Sequence, residues 1–394
     1  MRLFYTTSDF VYKGRPREGL PFLCYEDMEL VKPASDFLLW AALENPRIRS
    51  PATWRSYADA IYDYFAWLEA NSLSWDALPL RSKDVDEISN LALYRDWSLD
   101  VLDSRSGERA MQPATVRKRL SQIMRFYQWA VARNRIASVP WDVVMVSRAE
   151  HKSLGSVIRE STLPKVPRHA IRFLTIDQCR VLLQNCGGHT IRLMTKLMLQ
   201  TGLRNEECRT FPMKYLFDPS PDRRSCRIAI DLSPSDMRLK GSRPRRIYAS
   251  GQLIKDLFDF ANFGEGAVRA KLYRMTEGKA SPFVFLNRLG APWSEKGLCN
   301  AYRKLWCPAS PAKPSLDFKV TPHMLRHTFA TLELYAESQN RNIGYALAWV
   351  RDRLGHASIS STTVYVHCLD LLGERHLNQY EREIDALLIG GDER

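Results

Sequence analysis

The sequence predicts a mainly α-helical protein with a small antiparallel β-sheet, an α+β fold, and three observations support this prediction. Two long segments, "SPATWRSYADAIYDYFAWLEAN" and "QPATVRKRLSQIMRFYQWAVARN", repeat apolar residues at helical spacing. Three short segments, "CRIAIDL", "MRLK" and "RRIYA", have the composition of strands. An aperiodic stretch separates the two kinds of region, so 394 residues are expected to form two domains.

The first helix has a clear start signal. Ser50 can cap it and Pro51 can occupy its first position, where a missing N–H costs nothing. The apolar positions on one face are Trp54, Tyr57, Ile61, Tyr64, Phe65 and Leu68. This spacing predicts an amphipathic helix that packs into a core.

The second helix is predicted to begin at Pro113, and its two faces differ in character. One face is apolar and carries Val116, Leu120, Ile123, Met124, Tyr127 and Val131. The other is basic, and the chain between Arg105 and Arg135 holds eight Arg or Lys residues against one acid, Glu108. Such a run is most often a solvated surface, and DNA contact is the alternative interpretation. The candidate DNA contacts on this face are Arg117, Lys118, Arg119 and Arg125.

The later half of the chain carries the strand signals. "MRLK" and "RRIYA" are predicted to pair through a turn at "GSRP", because Gly and Pro favour turns. This half opens with "TIDQ", where Thr175 and Gln178 form a predicted capping box at a new helix. Between Ser147 and Arg172 the sequence reads as a linker, and we place the domain boundary near Lys165, giving domains 1–165 and 166–394.

Net charge and cysteine usage narrow the class of function. With 57 Lys and Arg against 44 Asp and Glu, the net charge is +13 and the isoelectric point about 9.4. Such a charge favours nucleic acid as a partner over an anionic membrane. The sequence shows no signal peptide and no apolar run long enough to span a bilayer, so a cytoplasmic location is expected. The eight cysteines lack metal-binding spacing, so they are expected to be reduced and no metal site is expected.

Four separated stretches place cationic or titratable side chains where a packed core would not favour them. They are "TGLRNEE" with Arg204, "RLKGSRPRR" with Lys240, "TPHMLRHTFAT" with His323 and Arg326, and "RLGHASISSTTVYVH" with His356 and Tyr365. Taken singly, each is compatible with an ordinary charged surface. A histidine three residues before an arginine on one helical face is unfavourable, however, unless an anion lies between them.

Taken in order, these stretches resemble the tyrosine recombinase (phage integrase) family. Their charged and phenolic side chains match the family's active-site residues one by one, and Glu207 matches the acid that supports the first arginine. The matching residues are Arg204, Lys240, His323, Arg326, His356 and Tyr365. The resemblance covers about 175–366, so it implies a catalytic second domain preceded by a helical DNA-binding domain. The spacing from Arg326 to His356 is several residues longer than usual, so the resemblance does not predict the helix packing there.

The resemblance also implies the chemistry. Arg204 and Arg326 would clamp the phosphate, Tyr365 would attack it, and His323 is the candidate acceptor of the phenol proton. Lys240 would protonate the leaving 5′-oxygen, and His356 would donate a hydrogen bond to the transition state. A 3′-phosphotyrosyl intermediate conserves the bond energy, so neither cofactor, ATP nor metal is expected. Arg243, Arg245 and Arg246 are further candidate DNA contacts.

The most favoured function is therefore site-specific recombination of double-stranded DNA, in integration, excision or transposition. The resemblance implies a synaptic homo-tetramer, or an assembly with related recombinases. A C-terminal helix with an apolar stripe is predicted from about 370, and on the sequence alone it could fold back on its own domain. The resemblance instead favours docking of this helix into the neighbouring protomer. The stripe residues are Leu377, Tyr380, Ile384, Leu387 and Leu388. Two alternatives remain open: a type IB topoisomerase-like enzyme, which shares this chemistry, and a catalytically silent DNA-binding accessory subunit.

Overall fold

The computed structural model describes residues 1–46, 48, 50–80, 87–141, 143–146, 157–160, 163–166, 171–307 and 316–369, with 143–146 and 157–160 described as backbone only. The chain divides into two compact units, Met1–Arg168 and His169–Arg394. The C-terminal helix predicted from about 370 lies outside the described residues.

Unit 1 is built on helices whose starts follow the sequence signals. Ser50 accepts a hydrogen bond from the backbone N–H of Thr53, and Pro51 stands in the first turn, as predicted. Pro113 likewise begins the fourth helix. The helices are α1 (Lys32–Leu43), α2 (Pro51–Ala70), α3 (Asn90–Asp100) and α4 (Pro113–Ala132).

The core of unit 1 is rich in aromatic residues from all of these helices. Phe37, Tyr64, Tyr94 and Phe126 are fully buried, and burying such a side chain contributes about 1.5–3 kcal/mol. The tyrosine hydroxyls have partners: those of Tyr64 and Tyr127 lie 2.7 Å apart, and that of Tyr94 donates to Asp63. Satisfying a buried hydroxyl avoids the cost of stripping it of water.

Unit 1 also contains small antiparallel strand pairs, which were not predicted from the sequence. β1 (Arg2–Tyr5) pairs with β4 (Pro21–Cys24), and β2 (Val11–Tyr12) pairs with β3 (Arg15–Pro16). β5 (Val143–Val146) pairs with β6 (Val157–Glu160), which lies inside the predicted linker. The β-branched residues of "VVMV" and "VI" favour this strand pairing, which the aperiodic sequence of the predicted linker did not indicate.

Unit 2 packs helices around a short hairpin, as the α+β prediction required. Thr175 and Gln178 form the predicted capping box at α5. The helices are α5 (Ile176–Asn185), α6 (His189–Thr201), α7 (Asn205–Arg209), α8 (Gly251–Asn262), α9 (Glu265–Glu277), α10 (Glu295–Trp306), α11 (Pro322–Asn340) and α12 (Ile343–Leu354). α11 and α12 occupy the long spacing between Arg326 and His356, and α12 packs on α11.

The hairpin differs from the predicted one. β7 (Arg227–Leu232) pairs antiparallel with β8 (Arg245–Ser250), so "CRIAIDL" and "RRIYA" are partners. "MRLK" is not a strand, which corrects the prediction. Its side chains do alternate between buried and exposed, but the strand that pairs with β8, from Arg227 opposite Ser250 to Leu232 opposite Arg245, is β7. The segment thus belongs to the connection between β7 and β8.

Candidate active site

The end of α6 presents the first arginine of the site. α6 ends at Gly202, whose backbone is left-handed with φ of 63°. A Cβ at this position would lie 2.3 Å from a ring carbon of Phe329, so both conformation and space require glycine. Arg204 follows immediately, as the residue that precedes α7.

Glu207 fixes this arginine from the first turn of α7. Glu207 is 1% exposed, and its carboxylate accepts hydrogen bonds from the backbone N–H of Arg204 at 2.8 Å and from Arg204 Nη1 at 3.1 Å. Arg245 of β8 donates two more, from Nη1 at 3.0 Å and from Nη2 at 2.6 Å. Burial alone would raise the pKa of Glu207, but the hydrogen bonds and charges of the two arginines outweigh it and lower that pKa.

Arg245 therefore does not suit the DNA contact that the sequence predicted. Its side chain is 3% exposed and its guanidinium is occupied by Glu207. It also packs under the turn before His356, because a Cβ on Gly355 would lie 3.0 Å from Arg245 Cδ. In the sequence nothing distinguished this arginine from its neighbours, since its partner lies 38 residues earlier.

Arg326 joins the C-terminal ends of two helices. It is 2% exposed and donates from Nη1 to the carbonyl of Gly202 at 2.5 Å and from Nη2 to the carbonyl of Leu354 at 2.7 Å. A guanidinium is favourable there because helix C-termini carry partial negative charge. Burial and the charge of Arg204 lower the pKa of Arg326, yet a guanidinium stays charged in proteins. These two bonds occupy two of its five N–H groups.

The second histidine of the site follows α12. Gly355 ends α12 in a left-handed conformation with φ of 63°, and His356 comes next. Its Nδ1 lies 3.0 Å from the hydroxyl of the buried Thr362. Burial, followed by the charges of Arg326 and Arg204, lowers the pKa of His356 to about 4, so its ring is neutral at pH 7.

Tyr365 lies within the same cluster, in a short 3₁₀ turn, and is 2% exposed. Its ring centroid is 6.5 Å from that of His356. Burial raises the pKa of Tyr365, while Arg326 and Arg204 act in the opposite direction. Its hydroxyl lies 2.9 Å from Nδ1 of His327.

His327 is the site residue that sequence reasoning missed. The prediction gave the role of proton acceptor to His323, whose ring instead contacts the ring of His327, with centroids 4.2 Å apart. One signal was available: His327 stands one helical turn after His323 on α11, so both project from one face. Partial desolvation, then the charges of Arg326, Arg204 and Lys240, lower the pKa of His323.

The structure thus gathers most of the predicted catalytic residues around one point. Lys240 is exposed in the connection between β7 and β8, near enough for its charge to act on His323. Gly241 follows it with φ of 73°. Among the residues that the structure describes, no cluster of His, Cys, Asp and Glu is placed to hold a metal ion, and none of the helices could cross a membrane.

A family model confirms what this constellation indicates. The model described as the phage integrase family matches residues 172–371. The chain belongs to the phage integrase family. It is thus a tyrosine recombinase, an enzyme that cleaves and rejoins DNA. The matched region contains all the predicted catalytic residues, Arg204, Lys240, His323, Arg326, His356 and Tyr365.

Individual relatives of this integrase-family chain agree with the assignment. "Tyrosine recombinase XerC" of Bacillus pumilus (strain SAFR-032) is 24% identical over 336 residues, which cover 84% of this chain and 92% of the relative. The protein of the same name from Escherichia coli O127:H6 is 24% identical over 325 residues, covering 81% and 86%.

Solved structures show the same fold. The Tn1549 transposon integrase in complex with transposon right end DNA aligns with a TM-score of 0.52 and 17% identity, covering 84% of this chain and 93% of that one. XerH recombinase bound to palindromic difH substrate aligns with a TM-score of 0.51 and 17% identity, covering 81% and 77%. The predicted fold class and family are therefore confirmed.

Proposed function

We propose that this chain is a site-specific recombinase of double-stranded DNA in which Tyr365 attacks the scissile phosphate and forms a 3′-phosphotyrosyl intermediate. One observation carries the proposal: a tyrosine hydroxyl, two arginines and three histidines converge within unit 2. A free 5′-hydroxyl then attacks the intermediate of a partner strand and reseals the DNA. The phosphotyrosine conserves bond energy, so no ATP is consumed.

Arg204 and Arg326 form the phosphate clamp in this mechanism. A phosphodiester gains negative charge in its transition state, so fixed cations aimed at its oxygens stabilise that state more than the ground state. Glu207 orients Arg204, and two helix carbonyls orient Arg326. Both guanidinium groups are therefore held before the substrate arrives, which avoids reorganisation during the reaction.

Lys240 and the two histidines that carry no bond to Tyr365 complete the site. Lys240 is exposed beside a left-handed glycine, and we assign it the protonation of the leaving 5′-oxygen. His323 and His356 are assigned hydrogen-bond donation to the phosphate oxygens. Because His356 is neutral and its Nδ1 faces Thr362, its other ring nitrogen is free to donate if Nδ1 accepts from that hydroxyl.

Each unit, taken by itself, carries exposed cations that we propose as DNA contacts. Arg117, Lys118 and Arg125 are exposed on α4 in unit 1, and Arg243 and Arg246 are exposed in unit 2. Arg119 is a weaker candidate because it pairs with Asp63 at 2.5 Å. Arg246 pairs with Asp231 at 2.7 Å, although both side chains are more than half exposed and such surface pairs are weak.

Recombination rather than DNA relaxation is the proposed outcome. The relatives named above are recombinases and a transposon integrase, which favours integration, excision or transposition over topoisomerase activity. Because DNA is the partner, the proposed location is the nucleoid in the cytoplasm. A plasmid carrying two copies of the recombination site, recovered from the DNA beside the gene, separates the two enzyme classes. Exchange between sites supports the proposal, and relaxation of any supercoiled plasmid without exchange contradicts it.

We further propose a tetramer of this chain, or a mixed tetramer with related recombinases, as the synaptic assembly. Its test is a chain shortened to end at residue 373. We expect the shortened protein to bind a single site as the full chain does and to lose synaptic complexes on native gels and in light scattering. Tetramers formed by the shortened protein would show that residues 374–394 serve their own protomer.

A further inference from the structure

His327 touches the reacting atom of the nucleophile. It follows Arg326 directly on α11, and its Nδ1 lies 2.9 Å from the Tyr365 hydroxyl, with ring centroids 5.6 Å apart. The ring of His323, one helical turn earlier, lies against the ring of His327. His327 therefore occupies the position next to the phenol in which a proton acceptor is required.

The direction of this hydrogen bond follows from the protonation states of its two partners. Burial raises the pKa of Tyr365, so the phenol keeps its proton at pH 7. Burial, then the charges of His323 and Arg326, lower the pKa of His327 to about 4, so its ring is neutral. A buried phenol O–H requires an acceptor, and a neutral imidazole offers one unprotonated nitrogen. The phenol therefore donates to Nδ1, and Nε2 carries the ring proton.

We propose that His327 is a catalytic residue, the acceptor that takes the phenol proton of Tyr365 during cleavage and returns it during rejoining. The proposal rests on the proposed function of the site. In cleavage the bond from Tyr365 Oη to phosphorus forms while the Oη proton moves to His327 Nδ1. The bond from phosphorus to the 5′-oxygen breaks, and that oxygen takes a proton from Lys240. In rejoining, each of these bond changes and proton transfers runs backwards.

The cations around His327 make this proton transfer depend on bound DNA. In the free protein, burial keeps the ring of His327 neutral, and the charges of His323 and Arg326 would further disfavour an imidazolium there. A phosphate bound between Arg204 and Arg326 adds negative charge at that point, and its transition state adds more. The proton affinity of His327 thus rises only when the phosphate is in place. Tyr365 is activated on the bound substrate and stays a protonated phenol without it.

Two substitutions separate proton transfer from mere holding of the tyrosine. His327→Asn places an amide oxygen near the Nδ1 position, so it can accept the hydrogen bond but cannot take a proton at neutral pH. His327→Phe keeps a ring of similar size and removes the bond. His323→Asn, one turn away on the same face, is the matched control. Covalent adduct formation on a nicked suicide substrate gives the cleavage rate.

We expect both His327 variants to cleave on the order of 10²-fold more slowly than wild type at pH 7. The deficit should shrink as pH rises towards 9, because a growing fraction of the phenol ionises without help. His323→Asn should cleave more slowly at every pH without this recovery, since it loses a hydrogen bond to the phosphate and not the proton acceptor. Thermal melting and single-site DNA binding verify folding, and if one His327 variant does not fold, the other decides.

Three results would overturn the inference. A wild-type rate in His327→Asn with a slow His327→Phe would make the contact purely positional. Faster cleavage in either variant would show that the contact with His327 restrains Tyr365 and slows its attack. A loss of cleavage rate that does not shrink as pH rises would show that proton transfer does not explain the loss. Wild-type and Tyr365→Phe proteins are run alongside, because a wild-type protein without adduct would refute the proposed function itself.

Discussion

The arginines of the active site and two exposed cations of α4, Arg117 and Lys118, are held in opposite ways. In the site, Arg245 and Arg326 are almost fully buried, and their guanidinium groups are fixed by a carboxylate or by helix carbonyls. On α4, Arg117 and Lys118 are exposed, and among the described residues Arg117 donates one hydrogen bond, to the carbonyl of Pro164. Fixed cations can stabilise a transition state whose negative charge develops at one place. Solvated cations can bind the phosphates along a DNA backbone, and this binding releases counterions.

Substitution of Arg326 should have the largest effect among the buried, fixed arginines of the active site. Arg326→Lys keeps a positive charge but cannot span both helix carbonyls and a phosphate, because lysine lacks the planar fork. We expect cleavage to fall on the order of 10³-fold, the upper range for loss of one transition-state donor. Adduct formation on a suicide substrate measures the rate, and DNA binding checks the fold. Cleavage within a few fold of wild type would remove Arg326 from the clamp.

Lys240 is exposed, like the cations of α4, yet its proposed role is catalytic. Its substitution therefore tests whether exposure alone distinguishes DNA-binding cations from catalytic ones. Lys240→Ala should cleave an ordinary phosphodiester on the order of 10²-fold more slowly, as expected for a lost general acid. A substrate with sulfur in the 5′-bridging position should restore cleavage, because a thiolate leaves without a proton. Persistent slowness on the sulfur substrate would assign Lys240 to phosphate binding instead.

Arg245 tests whether support for a catalytic group can be as important as contact with DNA. Arg245→Lys removes one of two bonds to Glu207, so Arg204 should be less well oriented. We expect roughly 10-fold slower cleavage with unchanged DNA affinity, since the side chain is buried. Arg243→Lys, two residues earlier and exposed, is the matched control. Weakened DNA binding in Arg245→Lys, with a normal cleavage rate once bound, would restore its predicted role as a DNA contact.

Substitution of the exposed cations of α4 should change only the affinity for DNA and the salt dependence of that affinity. Arg117→Ala and Lys118→Ala should each lower the salt slope of DNA binding by about 1 and leave the cleavage rate of bound DNA unchanged. Arg135→Ala is the control, because Arg135 pairs with Asp36 at 2.6 Å and its guanidinium also lies over the ring of Trp129. An unchanged slope in both test variants would show that this face does not meet DNA.

The smallest effect concerns pH. The pKa values of His327 and His356 are lowered to about 4 in the folded chain, against about 6.5 when unfolded. The unfolded chain therefore binds more protons between these values, so stability is lost as pH falls from about 6.5 towards 4. We expect the Tm of wild type to drop a few degrees more than that of His356→Asn between pH 7.5 and 5. Equal drops would show that His356 adds nothing to this dependence.

The sequence predicted the local features well because their causes are local. The caps at Ser50 and Thr175 involve residues three apart, so composition reveals them. Strand partners are distant, and "MRLK" was assigned to the sheet although β7 supplies the partner of β8. The pairing of Arg245 with Glu207 and the contact of His327 with Tyr365 span 38 residues each. Only the folded chain brings such groups together, so these roles could not be read from spacing.

The central claim is that Tyr365 is the nucleophile of this site, and one measurement tests it most directly. The adduct trapped on a nicked suicide substrate is digested and mapped by mass spectrometry. We predict that the DNA 3′-phosphate is attached to Tyr365, and that Tyr365→Phe binds the same DNA without forming an adduct. An adduct that persists in Tyr365→Phe, or that maps to Tyr345 or Tyr380, would contradict the account.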